Sequence, residues 1–153
     1  MRSSALVFAL VIGLIACGGK GKAADTTGGD PPAATLYTRL GEKPAIEAVI
    51  DKFLSNVVAD ARINARFAHL DAGGVARLRG HLVDQVCNAT GGPCEYKGRN
   101  MVESHAGMNI TEDEFNALVE DLVKALDELG VPEAEKGELL GALGGMKGDI
   151  VGK

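Results

Sequence analysis

The stretch Cys87-Asn88-Ala89-Thr90-Gly91-Gly92-Pro93-Cys94-Glu95-Tyr96-Lys97-Gly98-Arg99-Asn100-Met101-Val102-Glu103-Ser104-His105 decides how this chain is read. Gly91-Gly92-Pro93 ends one helix, because glycine takes the left-handed cap and proline cannot continue the ladder. A polar loop follows. A short helical piece then presents a single histidine beside Met101 and Val102. One imidazole in an apolar wall suits a flat, metal-centred ligand, which is commonly held by one histidine. A histidine that is merely packed gives the same pattern.

Outward from this stretch, every periodic segment has helical spacing and none alternates with period two. After Pro44, a good first-turn residue, Ile46, Val49, Ile50, Phe53, Leu54, Val57 and Val58 form one apolar stripe. Val75, Leu78, Leu82 and Val86 define a second stripe, from Gly74 to about Ala89. Thr111-Glu112-Asp113-Glu114 is a capping box that opens a third helix. That helix carries Phe115, Leu118, Val119, Leu122, Val123, Leu126 and Leu129, and Gly130 ends it. Pro132 can start a last helix carrying Leu139, Leu140, Leu143, Met146, Ile150 and Val151, weakened by Gly141, Gly144, Gly145 and Gly148. The expected class is all-α, with four substantial helices. Aromatic content is thin: Tyr37, Phe53, Phe67, Tyr96 and Phe115 after residue 34, and no tryptophan. Either a large apolar cofactor or a small aliphatic core accommodates that.

The other end of the chain reads differently. Arg2 precedes an apolar run from Ala5 to Ala16, too short to span a bilayer comfortably. The run closes on Leu14-Ile15-Ala16-Cys17, which resembles the lipobox of bacterial lipoproteins. That resemblance implies cleavage of residues 1–16, acylation of Cys17, and an exported, membrane-anchored protein facing the periplasm or cell exterior. An ordinary secretion signal with a chance cysteine is the alternative. Residues 17–34 are a Gly- and Pro-rich tether, and 35–153 form the single folded domain. The formal net charge is −5 for the whole chain, and loss of Arg2 with the leader makes it −6. An acidic chain without a basic patch argues against nucleic acid. Cys87 and Cys94 remain as an even pair, which in an exported protein reads as a disulfide. Two free thiols are the alternative.

With these elements in view, residues 35–150 resemble a truncated haemoglobin of the first group. The resemblance rests on Leu36-Tyr37-Thr38-Arg39-Leu40-Gly41 at the opening, Phe53-Leu54, and Arg66-Phe67 where the family has Phe-Phe. Ala89-Thr90-Gly91-Gly92-Pro93 and Tyr96-Lys97-Gly98-Arg99-Asn100-Met101 continue it. So do Val102-Glu103-Ser104-His105, Gly107-Met108-Asn109-Ile110-Thr111 and Leu129-Gly130-Val131-Pro132. It implies a two-over-two helical sandwich holding haem b, with His105 as the proximal iron ligand and Phe67 stacked near the haem edge. Phe53, Leu54, Leu78, Leu82, Gln85, Tyr96, Met101, Val102, Phe115, Leu118 and Leu122 would wall the haem. Arg99 is the first choice to meet a propionate, ahead of Arg77, Arg79 and Lys97. The gas would be dioxygen, nitric oxide or carbon monoxide.

The departures carry information. The family often places tyrosine at Leu54 and glutamine at Leu78 or Leu82, where this chain has no hydrogen-bond donor. Tight dioxygen retention and the family's nitric-oxide dioxygenation are therefore not expected in their usual form. At about 100° per residue, Gln85 lies about 20° from Leu78, and His81 about 60°. Both are candidate distal donors. In some family members a histidine at the position of His81 is a sixth iron ligand, which gives a bis-histidine, redox or gas-sensing alternative. A solvated edge histidine is the plainer reading of His81, and His69 reads as surface. A cofactor-free, protein-binding helical domain is the third reading.

Overall fold

The capping box at Thr111 and the Gly91 stop lie where the sequence places them, while Gly41, Asp71 and Asn100 cap the other helices. The computed structural model describes residues 33–153; Cys17, the leader and the tether up to residue 32 lie outside the described residues. Six helices follow in order: α1 Leu36–Leu40, α2 Glu42–Ala59, α3 Ala72–Ala89, α4 Met101–His105, α5 Glu112–Glu128 and α6 Glu133–Gly144. Single 3₁₀ turns lie at Asn64–Arg66 and Lys147–Asp149. The all-α expectation holds.

Gly41, at φ 96°, caps α1 and turns the chain directly into α2. Along α2, Ile46, Val49, Ile50, Phe53 and Val57 are buried. Val58, expected on the same stripe, is 68% exposed. Asn56 takes its place, donating from Nδ2 to the Asp121 carbonyl at 3.1 Å and tying α2 to α5. Asp71 caps α3 by accepting from the Gly74 N–H at 2.6 Å. Gly130, at φ 68°, follows α5, and its N–H donates to the Asp127 carbonyl. The final helix is shorter than expected. It stops at Gly144, where Gly144-Gly145 removes the side-chain packing that would offset the entropy of glycine. A 3₁₀ turn capped at Ile150 follows, and beyond it Val151 bridges to Ile110.

Packing centres on α2, which lies against both α3 and α5, while those two meet each other far less. Ile46, Ile50, Val57, Cys87, Leu126 and Leu139 are the largest of its fully buried side chains. Cys87 and Cys94 are disulfide-bonded, with Cα atoms 5.7 Å apart. The bond pins the end of α3 to the loop before α4. Closing so short a loop stabilises by about 2.5 kcal/mol on the chain-entropy model. Reduction is expected to lower the urea midpoint by that equivalent, and a midpoint unchanged by reductant would contradict the pinning.

The start of α5 is fixed by charge as well as by its cap. Thr111 accepts from the Glu114 N–H, and the Glu114 carboxylate accepts from the Thr111 N–H. The same carboxylate receives the fork of Arg66, at 2.7 and 2.9 Å. Arg66, and after it the Thr111 backbone, pulls the Glu114 carboxyl from 4.5 down to about 2. A carboxyl depressed in the folded state contributes stability above its unfolded value and loses it as pH falls through the folded one. Glu114→Gln should therefore flatten stability between about pH 4.5 and 2. Urea titrations across that range check it, and identical slopes would refute the assignment.

Candidate functional site

His105 is the candidate ligand. It is the last residue of α4, a five-residue helix capped by Asn100, whose side chain accepts from the Glu103 N–H. The His105 ring is half-buried, and its Nδ1 lies 2.8 Å from the Met101 carbonyl one turn back. A carbonyl only accepts, so Nδ1 carries the proton and Nε2 presents its lone pair. Such an anchored imidazole is how proteins orient a metal-binding histidine.

Of the second apolar stripe, Val75, Leu78, Leu82 and Val86, only Val86 is buried. The buried side chains of α3 are Val83, Val86 and Cys87. Leu78 and Leu82 are half-buried, and Val75 is 43% exposed. On a helical wheel Val83, Val86 and Cys87 centre about 115° away from the Leu78–Leu82 edge. One face of α3 thus packs on α2, while an apolar second face stays partly open. Leu54, Phe67, Leu82 and Leu118 likewise pack against the edge of the core without being enclosed by it.

The other residues expected at the site differ in exposure. Phe53, Phe115 and Leu122 are 7–8% exposed, as core side chains are. Val102 is 45% exposed. Met101 is half-buried, and its sulfur takes part in a link absent from the sequence expectation. The Gln85 amide donates to the Met146 sulfur at 3.1 Å and reaches the Met101 sulfur at 3.5 Å. Gln85 therefore joins α3 to α4 and to the turn after α6. His81 is exposed, edge-on to the Tyr96 ring at 6.2 Å between centroids. Tyr96 donates from its hydroxyl to the Arg99 carbonyl at 2.9 Å, and burial raises its pKa. His69 is exposed.

Among the cations weighed for propionates, Arg79 is committed, with both arms of its fork on Asp51 at 2.5 and 2.9 Å. Lys97 lies 3.4 Å from Glu95, and Arg77 and Arg99 are exposed. The contact that sequence reasoning missed is Arg66 Nη1 to the Met108 carbonyl, at 2.9 Å. Its partners lie 42 residues apart, and no local pattern announces it.

These residues fit a haem. A single anchored imidazole, together with half-buried apolar side chains on α2, α3 and α5, is what a macrocycle with one protein ligand requires. A bare metal ion fits less well, because no group of three or more His, Cys, Asp or Glu able to hold one occurs among the described residues. An apolar cavity of about 180 Å³ between the start of α2 and the end of α5 is lined by Ile46, Val49, Leu126 and Leu139. It does not touch His105 and holds no ligand donor.

Comparison with known proteins agrees with this geometry. A family model described as bacterial-like globin matches residues 35–151. A group 1 truncated hemoglobin of Tetrahymena pyriformis is 34% identical over 119 residues, covering 78% of this chain and 96% of that protein. The crystal structure of that organism's truncated hemoglobin, Fe(III) form, superposes with TM-score 0.74 over 78% of this chain and all of the other. The 2/2 hemoglobin of a Synechococcus species, solved in the cyanomet state with covalently attached heme, superposes with TM-score 0.71. It is 31% identical, over 77% of this chain and 98% of the other.

Proposed function

The chain belongs to the bacterial-like globins, as a truncated haemoglobin of the first group, and on that premise we propose that it binds haem b through His105 and takes up diatomic gases reversibly. The observation that carries the assignment of the ligand is the Nδ1 hydrogen bond of His105 to Met101. It fixes the tautomer and aims Nε2. When bound, haem would supply the iron that takes up dioxygen, carbon monoxide or nitric oxide. The chain does the rest: Leu54, Leu78, Leu82, Phe67 and Leu118 exclude water with apolar surface, and Gln85 with Met101 and Met146 joins the far edge.

Leu54, Leu78 and Leu82 carry no donor, and the Gln85 amide is turned to sulfur. A polarised ligand such as dioxygen therefore gains no hydrogen bond from these positions, whereas carbon monoxide needs none. His81, exposed beside Tyr96, gives the bis-histidine alternative no observation in its favour. Absorption spectra of ferric, ferrous and carbon monoxide-treated protein after haem reconstitution test the reading. A carbon monoxide-induced shift reversed by photolysis is expected, and an unshifted ferrous spectrum would reject it.

We further propose that Cys17 is acylated and holds the domain on a membrane. The lipobox-like Leu14-Ile15-Ala16-Cys17 supports this, and so does the Cys87–Cys94 bond, of a kind that persists chiefly in oxidising compartments. Expressed in a bacterium fed radiolabelled palmitate, the full chain should incorporate label and Cys17→Ala should not. Equal labelling of both would end the anchor proposal.

A further inference from the structure

We propose that Arg66 is a positioning residue for the proximal side: its guanidinium ties the Phe67 turn and the start of α5 to the loop that follows His105, and so sets the orientation of the His105 ring. The proposal rests on the haem reading above.

The chain of contacts is short. Arg66 ends the 3₁₀ turn Asn64–Arg66, immediately before Phe67. Nε and Nη2 form a fork on the Glu114 carboxylate, and Nη1 donates to the Met108 carbonyl at 2.9 Å. Met108 in turn donates its N–H to the His105 carbonyl at 3.0 Å. Two hydrogen bonds therefore separate the guanidinium from the backbone of His105.

The loop it grips has few bonds of its own, Met108 N–H to the His105 carbonyl and Asn109 Nδ2 to the Gly107 carbonyl. Gly107 sits at φ 79°, and Asn109 at φ 49°, a conformation uncommon for side chains other than Asn or Asp. Its far side is held by the chain's end, where the Gly152 N–H donates to the Ile110 carbonyl and the Asn109 N–H to the Lys153 carbonyl. Arg66 supplies the near side. Only arginine can do both jobs at once, since a planar fork leaves a third direction for Nη1. Lysine offers a point charge without the fork. Glu114 is held in place independently by the Thr111 cap, so the fork lands on a fixed carboxylate. α4 has only five residues and little intrinsic stability, so its last residue takes its direction from such outside restraints.

The test uses the reconstituted full-length protein in four forms: wild type, Arg66→Lys, Arg66→Met and Arg62→Met. Arg62 is the control, since it pairs with Asp60 and Glu120 and does not reach the loop. Two quantities are read: the iron–histidine stretching frequency of the ferrous protein by resonance Raman, and the rate of haem transfer to a scavenger globin. Arg66→Met and Arg66→Lys should shift or broaden the stretching band and speed haem loss about three- to tenfold, as expected for losing charge-assisted bonds at a half-exposed site. Arg62→Met should leave the band in place. Should Arg66→Met fail to fold, Arg66→Lys retains charge and stem and answers the same question. An unmoved band and unchanged haem loss in folded Arg66 variants would overturn the positioning role while leaving the haem reading intact. A wild-type protein that takes up no haem would overturn both.

Discussion

His105→Ala should abolish the haem chemistry while leaving the fold almost untouched. The imidazole is half-buried on a five-residue helix and lies outside the buried core. Its removal leaves the Met101 carbonyl near solvent, so the loss in folding stability should stay within about 1 kcal/mol. Haem retention is another matter. Removing an outer partner of a metal ligand already costs about 10–100-fold in affinity, and losing the ligand itself should cost at least the upper figure. Reconstituted His105→Ala should show normal helical circular dichroism, rapid haem loss, and no wild-type ferrous spectrum. Haem retained at wild-type affinity would mean that another group binds the iron.

Gly92→Ala should have the largest effect on the fold itself. A β-carbon built at residue 92 would lie 2.5 Å from the Tyr37 ring, 2.7 Å from the Cys87 sulfur and 2.8 Å from the Cys87 carbonyl. None of the three can move cheaply. Tyr37 accepts the Lys43 N–H on its hydroxyl, the sulfur is in the disulfide, and the carbonyl accepts the Gly92 N–H at 2.8 Å. Overpacking of this kind costs about 1–3 kcal/mol, and backbone involvement places it at the upper end. Thermal unfolding of the oxidised protein should fall by about 10 °C. Gly80→Ala, where a β-carbon meets nothing within 4 Å, is the matched control. Equal midpoints for the two variants would refute the close approach.

The sequence makes the helices legible because their boundaries are written locally. Thr111-Glu114, Gly130 and Gly91 each act within one turn of themselves, and periodicity supplies the rest. Two elements were misjudged for want of tertiary information. Val58 sits at the right spacing for the α2 stripe, but Asn56 takes the buried position through its bond to α5. The last helix keeps its apolar spacing through Val151, yet Gly144-Gly145 stops it and Val151 pairs with Ile110 instead.

The candidate site was legible in part. His105 stands out in the sequence because Gly91-Gly92-Pro93 ends one helix and a short helical piece after the polar loop ends on it; the Asn100 cap emerges only in the structure. Leu78 and Leu82 were placed on an apolar stripe, but one periodicity could not separate the face of α3 that packs on α2 from the face that stays open. Contacts spanning 42, 48 and 61 residues, namely Arg66 to Met108, Arg66 to Glu114 and Gln85 to Met146, leave no local trace. Gln85 looked like a distal donor for that reason: its angular position is right, while its hydrogen-bond partner is set by the turn after α6.

Chemical rescue of His105→Gly tests the central assignment most directly. The glycine leaves room for a free imidazole where the side chain stood. Ferrous His105→Gly, reconstituted with haem and titrated with imidazole, should recover the wild-type absorption and carbon monoxide-bound spectra in a saturable way. Wild-type spectra from His105→Gly before any imidazole is added would contradict the account.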